Sequence, residues 1–401
     1  MRRVVITGAG SVNALGVGVE AFANGLREAR CAIETLSLFE AEGYRSICAA
    51  QVADLSAPAW LPHRIAARAS RSDLLATIAA REAFDQAGWT PPPVSLGIVL
   101  GATTGGMFGG EAYARRWLAG NPLGPVTMLL ETPANFSMIL LGQVFRCEGP
   151  RLTVSTACSS GANAIGIAAD WIRRGRADAV LCGGVDSLCR MTFSGFNALQ
   201  AMDTVPCRPF DRRRAGLSLG EGAAMFILEA EDSARARGAA VLAEVCGYGV
   251  SADAHHITQP RQDGAGALLA MQKSLADADI AADEIDYINA HGTGTPLNDV
   301  IETVAIKSLL GRRAYEIPVS STKSMIGHCL AAGGAVEALA CLIALRDGFV
   351  PATANLEVPD PECDLDYVPK VSRSRRLRTV LTSSYGFGGN NSSLVLRRVD
   401  G

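Results

Sequence analysis

The chain has 401 residues, 48% of them hydrophobic and 19% charged, with a formal net charge of -3. That length allows two or three domains or one large fused unit, and that composition allows a large buried core. The slight negative charge excludes a general nucleic-acid binder, and 11 scattered cysteines without a CxxC pair fit reduced thiols better than a disulfide framework or a zinc site.

Only Lys273, Lys307, Lys323 and Lys370 are lysines; every other basic residue is arginine. After MRR the apolar run Val4–Ile6 is too short for a secretory signal. Ser324–Leu345 is long and low in charge, yet it contains His328, Glu337 and several glycines, so it reads as a buried helix and not a membrane span. A soluble, cytoplasmic protein is expected.

In chain order, Val4–Thr7 reads as a buried strand, Val19–Glu28 as a helix and Arg71–Gly88 as an amphipathic helix. Val94–Gly101 is a strand running into the Gly-rich loop GATTGGMFGG, and Arg151–Thr156 a strand leading to Cys158. Ser160–Arg174 is helical with Gly175 as its stop. Ala177–Gly183, Gly222–Leu228 and Val241–Ser251 are strands. The theme repeats with helix Gly264–Ala278, strand Ile285–Ala290, helix Val300–Leu310, strand Ile317–Ser320 and helix Ala331–Arg346. Strands Thr379–Ser383 and Ser392–Arg397 close the chain. Alternating strands and helices predict an α/β class with largely parallel central sheets, as two similar lobes joined near residue 245.

The first strand offers a decoy. ITGAGSVNALG supplies Gly8 and Gly10 but has Asn13 where a dinucleotide fingerprint needs glycine, so it reads as a tight structural turn. VSTACSSGANAIG holds Cys158 where a strand ends and a helix begins. There the helix dipole and free amides favour a thiolate and an oxyanion, although a free cysteine is also a common packing residue. Of the five histidines, His291 in NAHGTGT and His328 in STKSMIGH each follow a predicted strand, on the loops where α/β sites assemble. Lys323 shares the loop of His328, and Glu302 is placed to pair with it. His255 and His256 have no third ligand at metal-binding spacing, so no metal is expected. YGFGGNN, Tyr385–Asn391, reads as a flexible loop after a strand, a simple turn or a gate whose N–H serves an oxyanion.

STACSSGANAI, RPFDRRRAGLSLGEGAA, NAHGTGTPLND, STKSMIGHCLAAGGAVEA and SSYGFGG together resemble the β-ketoacyl-acyl-carrier-protein synthases, specifically the type II elongating enzymes, from Val4 to about Leu396. The resemblance implies a thiolase-like five-layer αβαβα fold with two pseudo-equivalent halves, 1–245 and 246–401. It implies that Cys158 takes an acyl chain as a thioester. His291 and His328 then promote decarboxylation of a malonyl thioester, and the enolate attacks the acyl-cysteine. Phe387 is implied as gate and oxyanion-hole donor, Lys323 and Glu302 as organisers of the site, and Thr293, Thr295 and Gly388 as contacts to substrate and its pantetheine arm. Gly110 falls where the family often has a bulky aliphatic residue in the acyl pocket, implying extra room. The last motif reads GGNN where GGTN is commoner.

The implied partner is an acidic acyl carrier protein. Arg64, Arg68 and Arg71, with Arg212, Arg213 and Arg214, are the candidate docking arginines. A homodimer is implied, with a heterodimer of related subunits as the alternative, and no cofactor beyond the carrier's own arm. A specialised polyene, polyketide or nodulation-type ketosynthase is the second reading. A non-catalytic chain-length partner is disfavoured by Cys158, and a degradative thiolase by the absence of cysteine from Tyr385–Asn391.

Overall fold

The computed structural model describes residues 2–89 and 91–399. Its main sheet contains β1 (Val4–Asn13), β2 (Gly97–Gly101), β3 (Arg151–Val154), β4 (Ala179–Asp186), β5 (Gly222–Ala230), β6 (Ala243–Ala252), β7 (Tyr287–Asn289), β8 (Val319–Ser320), β9 (Thr379–Gly386) and β10 (Asn390–Arg397). Their order is β8-β7-β9-β10-β6-β1-β5-β4-β2-β3, with Gly16–Val17 pairing off β1. The two halves meet where β1 and β6 run antiparallel. Outward from β1, β5 and β4 are antiparallel neighbours, then β2 and β3 add in parallel. Outward from β6, β10 and β9 repeat the antiparallel step, and β7 and β8 the parallel one. A boundary after residue 245 therefore cuts β6, whose first residue is Ala243.

The principal helices are α1 (Arg71–Gln86), α2 (Met107–Leu118), α3 (Phe136–Phe145), α4 (Ser160–Arg173), α5 (Arg190–Ala198), α6 (Ala265–Ala278), α7 (Pro296–Leu310) and α8 (Gly333–Asp347). Helix α1 covers β1 and β5, and α6 covers β6 and β10. Between the two half-sheets lie α4 and α8, packed on each other. This is the five-layer αβαβα order. Being sandwiched makes α8 apolar all round: every residue from Gly333 to Leu345 is buried. Among the described residues no helix is long and apolar enough to cross a membrane.

Three expectations change. The central sheet is mixed and not largely parallel, because every pairing from β4 through β1 and β6 to β9 is antiparallel. GAGSVN is not a turn, because β1 runs straight through it to Asn13. Gly8 and Gly10 lie under α1, where a Cβ would strike the carbonyl oxygens of Ala83 and Ala79, so these glycines serve close strand–helix packing. GATTGGMFGG is loop only in its first half, since α2 begins at Met107.

Candidate functional site

Cys158 sits in a sharp turn between β3 and α4. Ala157 just before it has φ 53°, a left-handed conformation that costs a β-carbon residue energy. Ser160 braces the turn: its hydroxyl donates to the Ala157 carbonyl at 2.6 Å and accepts from the Thr156 N–H at 2.8 Å. The β9–β10 hairpin lies against the same turn. A Cβ on Gly386 would stand 3.2 Å from the Cys158 nitrogen.

The second half supplies the histidines. His291 follows β7 and His328 follows the loop after β8, and their rings lie edge to face with centroids 5.3 Å apart. Their hydrogen bonds fix their tautomers. His328 Nδ1 accepts from the Leu330 N–H at 3.1 Å, which leaves the ring proton on Nε2. Lys323 Nζ lies 3.2 Å from His291 Nδ1 and donates to the His291 carbonyl at 2.6 Å. An ammonium can only donate, so His291 also carries its proton on Nε2. Burial, with the Lys323 charge next, holds both imidazoles well below the usual histidine range. The result is two neutral N–H donors. Among the described residues His328 Nε2 has no hydrogen-bond partner.

Cys158 does not follow the thiolate expectation. Burial pushes the thiol up to about 11, with Lys323 and the Phe387 N–H pulling the other way. Desolvation outweighs both the lysine charge and the Phe387 amide, so the resting group is a thiol.

Cys158, His291, His328, Thr293, Thr295 and Phe387 line one cavity of about 360 Å³. Thr293 and Thr295 share a hydroxyl hydrogen bond of 2.9 Å in its wall. Phe387 is 36% exposed, so its ring stands at the cavity's open side.

Several expectations need correction. Lys323 does not pair with Glu302; its buried ion pair is with Glu337 on α8. Glu302 has both oxygens occupied by the N–H groups of His291 and Gly292, each at 2.7 Å. Burial pushes Glu302 up to about 7, and those amides work against the shift. Gly110 and Gly388 do not line the cavity. On α2, Gly110 faces Thr132, whose Oγ1 a Cβ would approach to 2.8 Å, so the missing side chain serves packing. Gly388 instead donates its N–H to the Ile257 carbonyl at 2.7 Å.

The docking arginines also divide. Arg71 turns inward at the start of α1 to a two-point ion pair with Glu221, whose side chain is fully buried. Arg214 is buried between Asp299 and Asp360. Arg213 is held by Asp211 and Glu357. Arg64, Arg68, Arg212 and Arg213 are all exposed. His255 and His256 are exposed, and His256 Nδ1 accepts from backbone N–H groups of its own loop. Glu337, which in the sequence only marks Ser324–Leu345 as no membrane span, is a further residue of the site; its signal is a lone carboxylate in an otherwise apolar helix.

Comparison with known proteins identifies one family. Residues 1–234 match the model of the beta-ketoacyl synthase N-terminal domain, and residues 242–357 that of the beta-ketoacyl synthase C-terminal domain. The chain is 42% identical to the tetracenomycin polyketide synthase ketoacyl synthase alpha subunit of Streptomyces glaucescens, over 99% of this chain and 97% of that one. It is 40% identical to the 3-oxoacyl-[acyl-carrier-protein] synthase 2 of Rhizobium meliloti (strain 1021), over 100% of both chains. Among solved structures, the ishigamide ketosynthase/chain length factor superposes with a TM-score of 0.94 at 36% identity, covering 100% of both chains. A strained cysteine turn facing two neutral imidazoles, on a doubled α/β scaffold matched by both domain models, places the chain in the beta-ketoacyl synthase family.

Proposed function

We propose that Cys158 accepts an acyl group from an acyl carrier protein and that His291 and His328 drive its condensation with a malonyl thioester. One observation carries this reading: a thiol and two neutral Nε2–H donors converge on one cavity that also presents hydroxyl groups. In the first step the Cys158 sulfur attacks the donor thioester carbonyl. The carrier thiol leaves, and the cysteine proton goes to it. The N–H groups of Cys158 and Phe387 are the donors for the oxyanion.

In the second step a malonyl thioester enters on the histidine side. Its carboxylate leaves as carbon dioxide, and the electron pair becomes an enolate on the thioester oxygen. Two uncharged N–H donors suit that oxygen, since its charge appears only during the step. The enolate carbon attacks the acyl-cysteine carbonyl, the C–S bond to Cys158 breaks, and the departing thiolate takes a proton from solvent. The product is a 3-oxoacyl thioester. Lys323, fixed by Glu337, holds the His291 tautomer, and Glu302 shapes the backbone of the same loop. Thr293 and Thr295 are the contacts for the substrate's pantetheine arm. No cofactor takes part beyond that arm, and the reaction is placed in the cytoplasm.

The first reading is chain elongation of the fatty-acid type. The second, a specialised ketosynthase working with a related subunit, is favoured by one observation: the ishigamide match is a ketosynthase/chain length factor. Trp117, Leu118, Val126 and Leu130 are exposed, as is Leu152 on the edge strand β3, and this surface suits a second chain under either reading. Incubation with acyl-carrier and malonyl-carrier substrates, followed by product mass analysis, tests the activity. A 3-oxoacyl product with stoichiometric carbon dioxide is expected from the purified chain alone under the first reading, and only after a related subunit is added under the second. Neither product nor adduct in either setting would refute the proposal.

A further inference from the structure

The GGNN ending of the last glycine-rich motif finds a role in the geometry of the hairpin tip. Strands β9 and β10 pair through Gly386 and Asn390, so only Phe387, Gly388 and Gly389 turn the chain. Four hydrogen bonds hold this tip. Gly389 N–H donates to the Gly386 carbonyl at 3.1 Å, Gly388 N–H to the Ile257 carbonyl at 2.7 Å, and Asp253 N–H to the Gly389 carbonyl at 2.9 Å. All three are backbone contacts, indifferent to side-chain identity. The fourth comes from a side chain: Asn390 Nδ2 donates to the Phe387 carbonyl at 3.2 Å.

The tip makes room for that amide. Gly388 has φ 82°, and a Cβ there would stand 3.2 Å from Asn390 Nδ2. Phe387 meanwhile works on the other side of the turn. Gly386, just before it, packs on the Cys158 turn, and the Phe387 N–H acts on the thiol as a hydrogen-bond donor that lowers it, while the Phe387 ring stacks on Phe196 with centroids 5.6 Å apart and planes 24° from parallel. The N–H and the carbonyl of Phe387 belong to adjacent rigid peptide planes joined by two torsions. Fixing the carbonyl plane therefore restricts both the N–H direction and the ring.

We propose that Asn390 is a positioning residue whose amide, by holding the Phe387 carbonyl, keeps the Phe387 N–H on Cys158 and the Phe387 ring on Phe196. The proposal rests on Cys158 as nucleophile for its catalytic consequence, but not for its effect on thiol reactivity. A threonine at this position offers a shorter side chain with no amide. The tether makes the tip stiffer, and acyl transfer to Cys158 depends on it more than binding of the malonyl donor does.

The test uses Asn390→Ala and Asn390→Leu, the second similar in size but without a donor. Ile257→Ala serves as a control that changes an exposed side chain at the tip and leaves its carbonyl bond. Alkylation of Cys158 by iodoacetamide is followed from pH 6 to 10 by peptide mass spectrometry, together with acyl-transfer kinetics. Both Asn390 variants should alkylate at roughly one third to one tenth of the wild-type rate at fixed pH, with the profile displaced to higher pH, as for loss of one hydrogen bond's influence. The acyl-transfer kcat should fall by the same factor, with the KM for the malonyl donor unchanged. Ile257→Ala should match wild type. Unchanged alkylation and kcat in both Asn390 variants would overturn the proposal, as would an equal shift in Ile257→Ala. Absence of an acyl adduct in wild type would instead count against the proposed function, while the alkylation arm would still decide the tether.

Discussion

The two halves of the sheet share one strand plan and carry different chemistry at its ends. In the first half, β3 runs into a single reactive atom, the Cys158 sulfur, on a strained turn. In the second, the loops after β7 and β8 carry two imidazoles backed by the Lys323–Glu337 pair. Burial acts on both and keeps both neutral, by opposite shifts. It raises the thiol to about 11 and lowers the histidines. Desolvation penalises whichever form is charged, so a thiol stays a thiol and an imidazole stays an imidazole. The same environment thus stores a quiet nucleophile in one half and ready hydrogen-bond donors in the other.

The sharpest way to break this division is Cys158→Ala, which should abolish acyl-enzyme formation and leave malonyl-donor binding intact, read by intact mass and by titration. Next, His291→Ala and His328→Ala should each slow condensation by about 10²–10³, the cost of one oxyanion donor, while acyl transfer changes only a few-fold. Pre-steady-state kinetics separate the two steps. If both steps fell together, the halves would not divide the labour.

A third change tests what supports the histidines. Glu337→Leu leaves the buried Lys323 ammonium without its carboxylate and should cost about 3–5 kcal/mol in denaturant unfolding. Arg68→Glu should act least, raising KM for the carrier-bound donor a few-fold with a steeper salt dependence, and leaving small thioester substrates untouched. Equal loss on both substrates would remove Arg68 from the docking surface.

The pH dependence follows from the directions of the shifts. The folded histidines resist protonation, so below the ordinary histidine range, near pH 6.5, the unfolded chain binds protons that the folded chain does not. Their contribution to stability is full above that pH and is lost as the pH falls. Replacing His328 with Asn should flatten this acid limb. Cys158 has the opposite sign. Its folded value lies above the ordinary 9.0, so its contribution is full below pH 9 and declines as the pH rises towards 11.

The site's main residues were legible because their code is local. Cys158, His291 and His328 each follow a strand, and a strand end is visible in a short apolar run. The partners that fix them were not. Glu337 meets Lys323 only when α8 packs between the half-sheets, a contact across 14 positions. Arg71 looks like an exposed helix start, yet the 150 residues that separate it from Glu221 close into one buried ion pair. In the fold, strand and helix alternation carried the α/β class, whereas GAGSVN misled because glycine in a turn and glycine under a helix look alike in sequence. Helix α2 was hidden for the same reason, as its first residues Met107–Gly110 include two glycines.

The most direct test of the account is intact-mass spectrometry of wild type, Cys158→Ala and the double variant His291→Ala/His328→Ala after incubation with a panel of acyl-carrier donors. One acyl adduct is expected on wild type and on the double variant, none on Cys158→Ala, and carbon dioxide release from malonyl carrier only with the histidines in place. An adduct that persists on Cys158→Ala, or disappears from the double variant while its fold is intact, would contradict it.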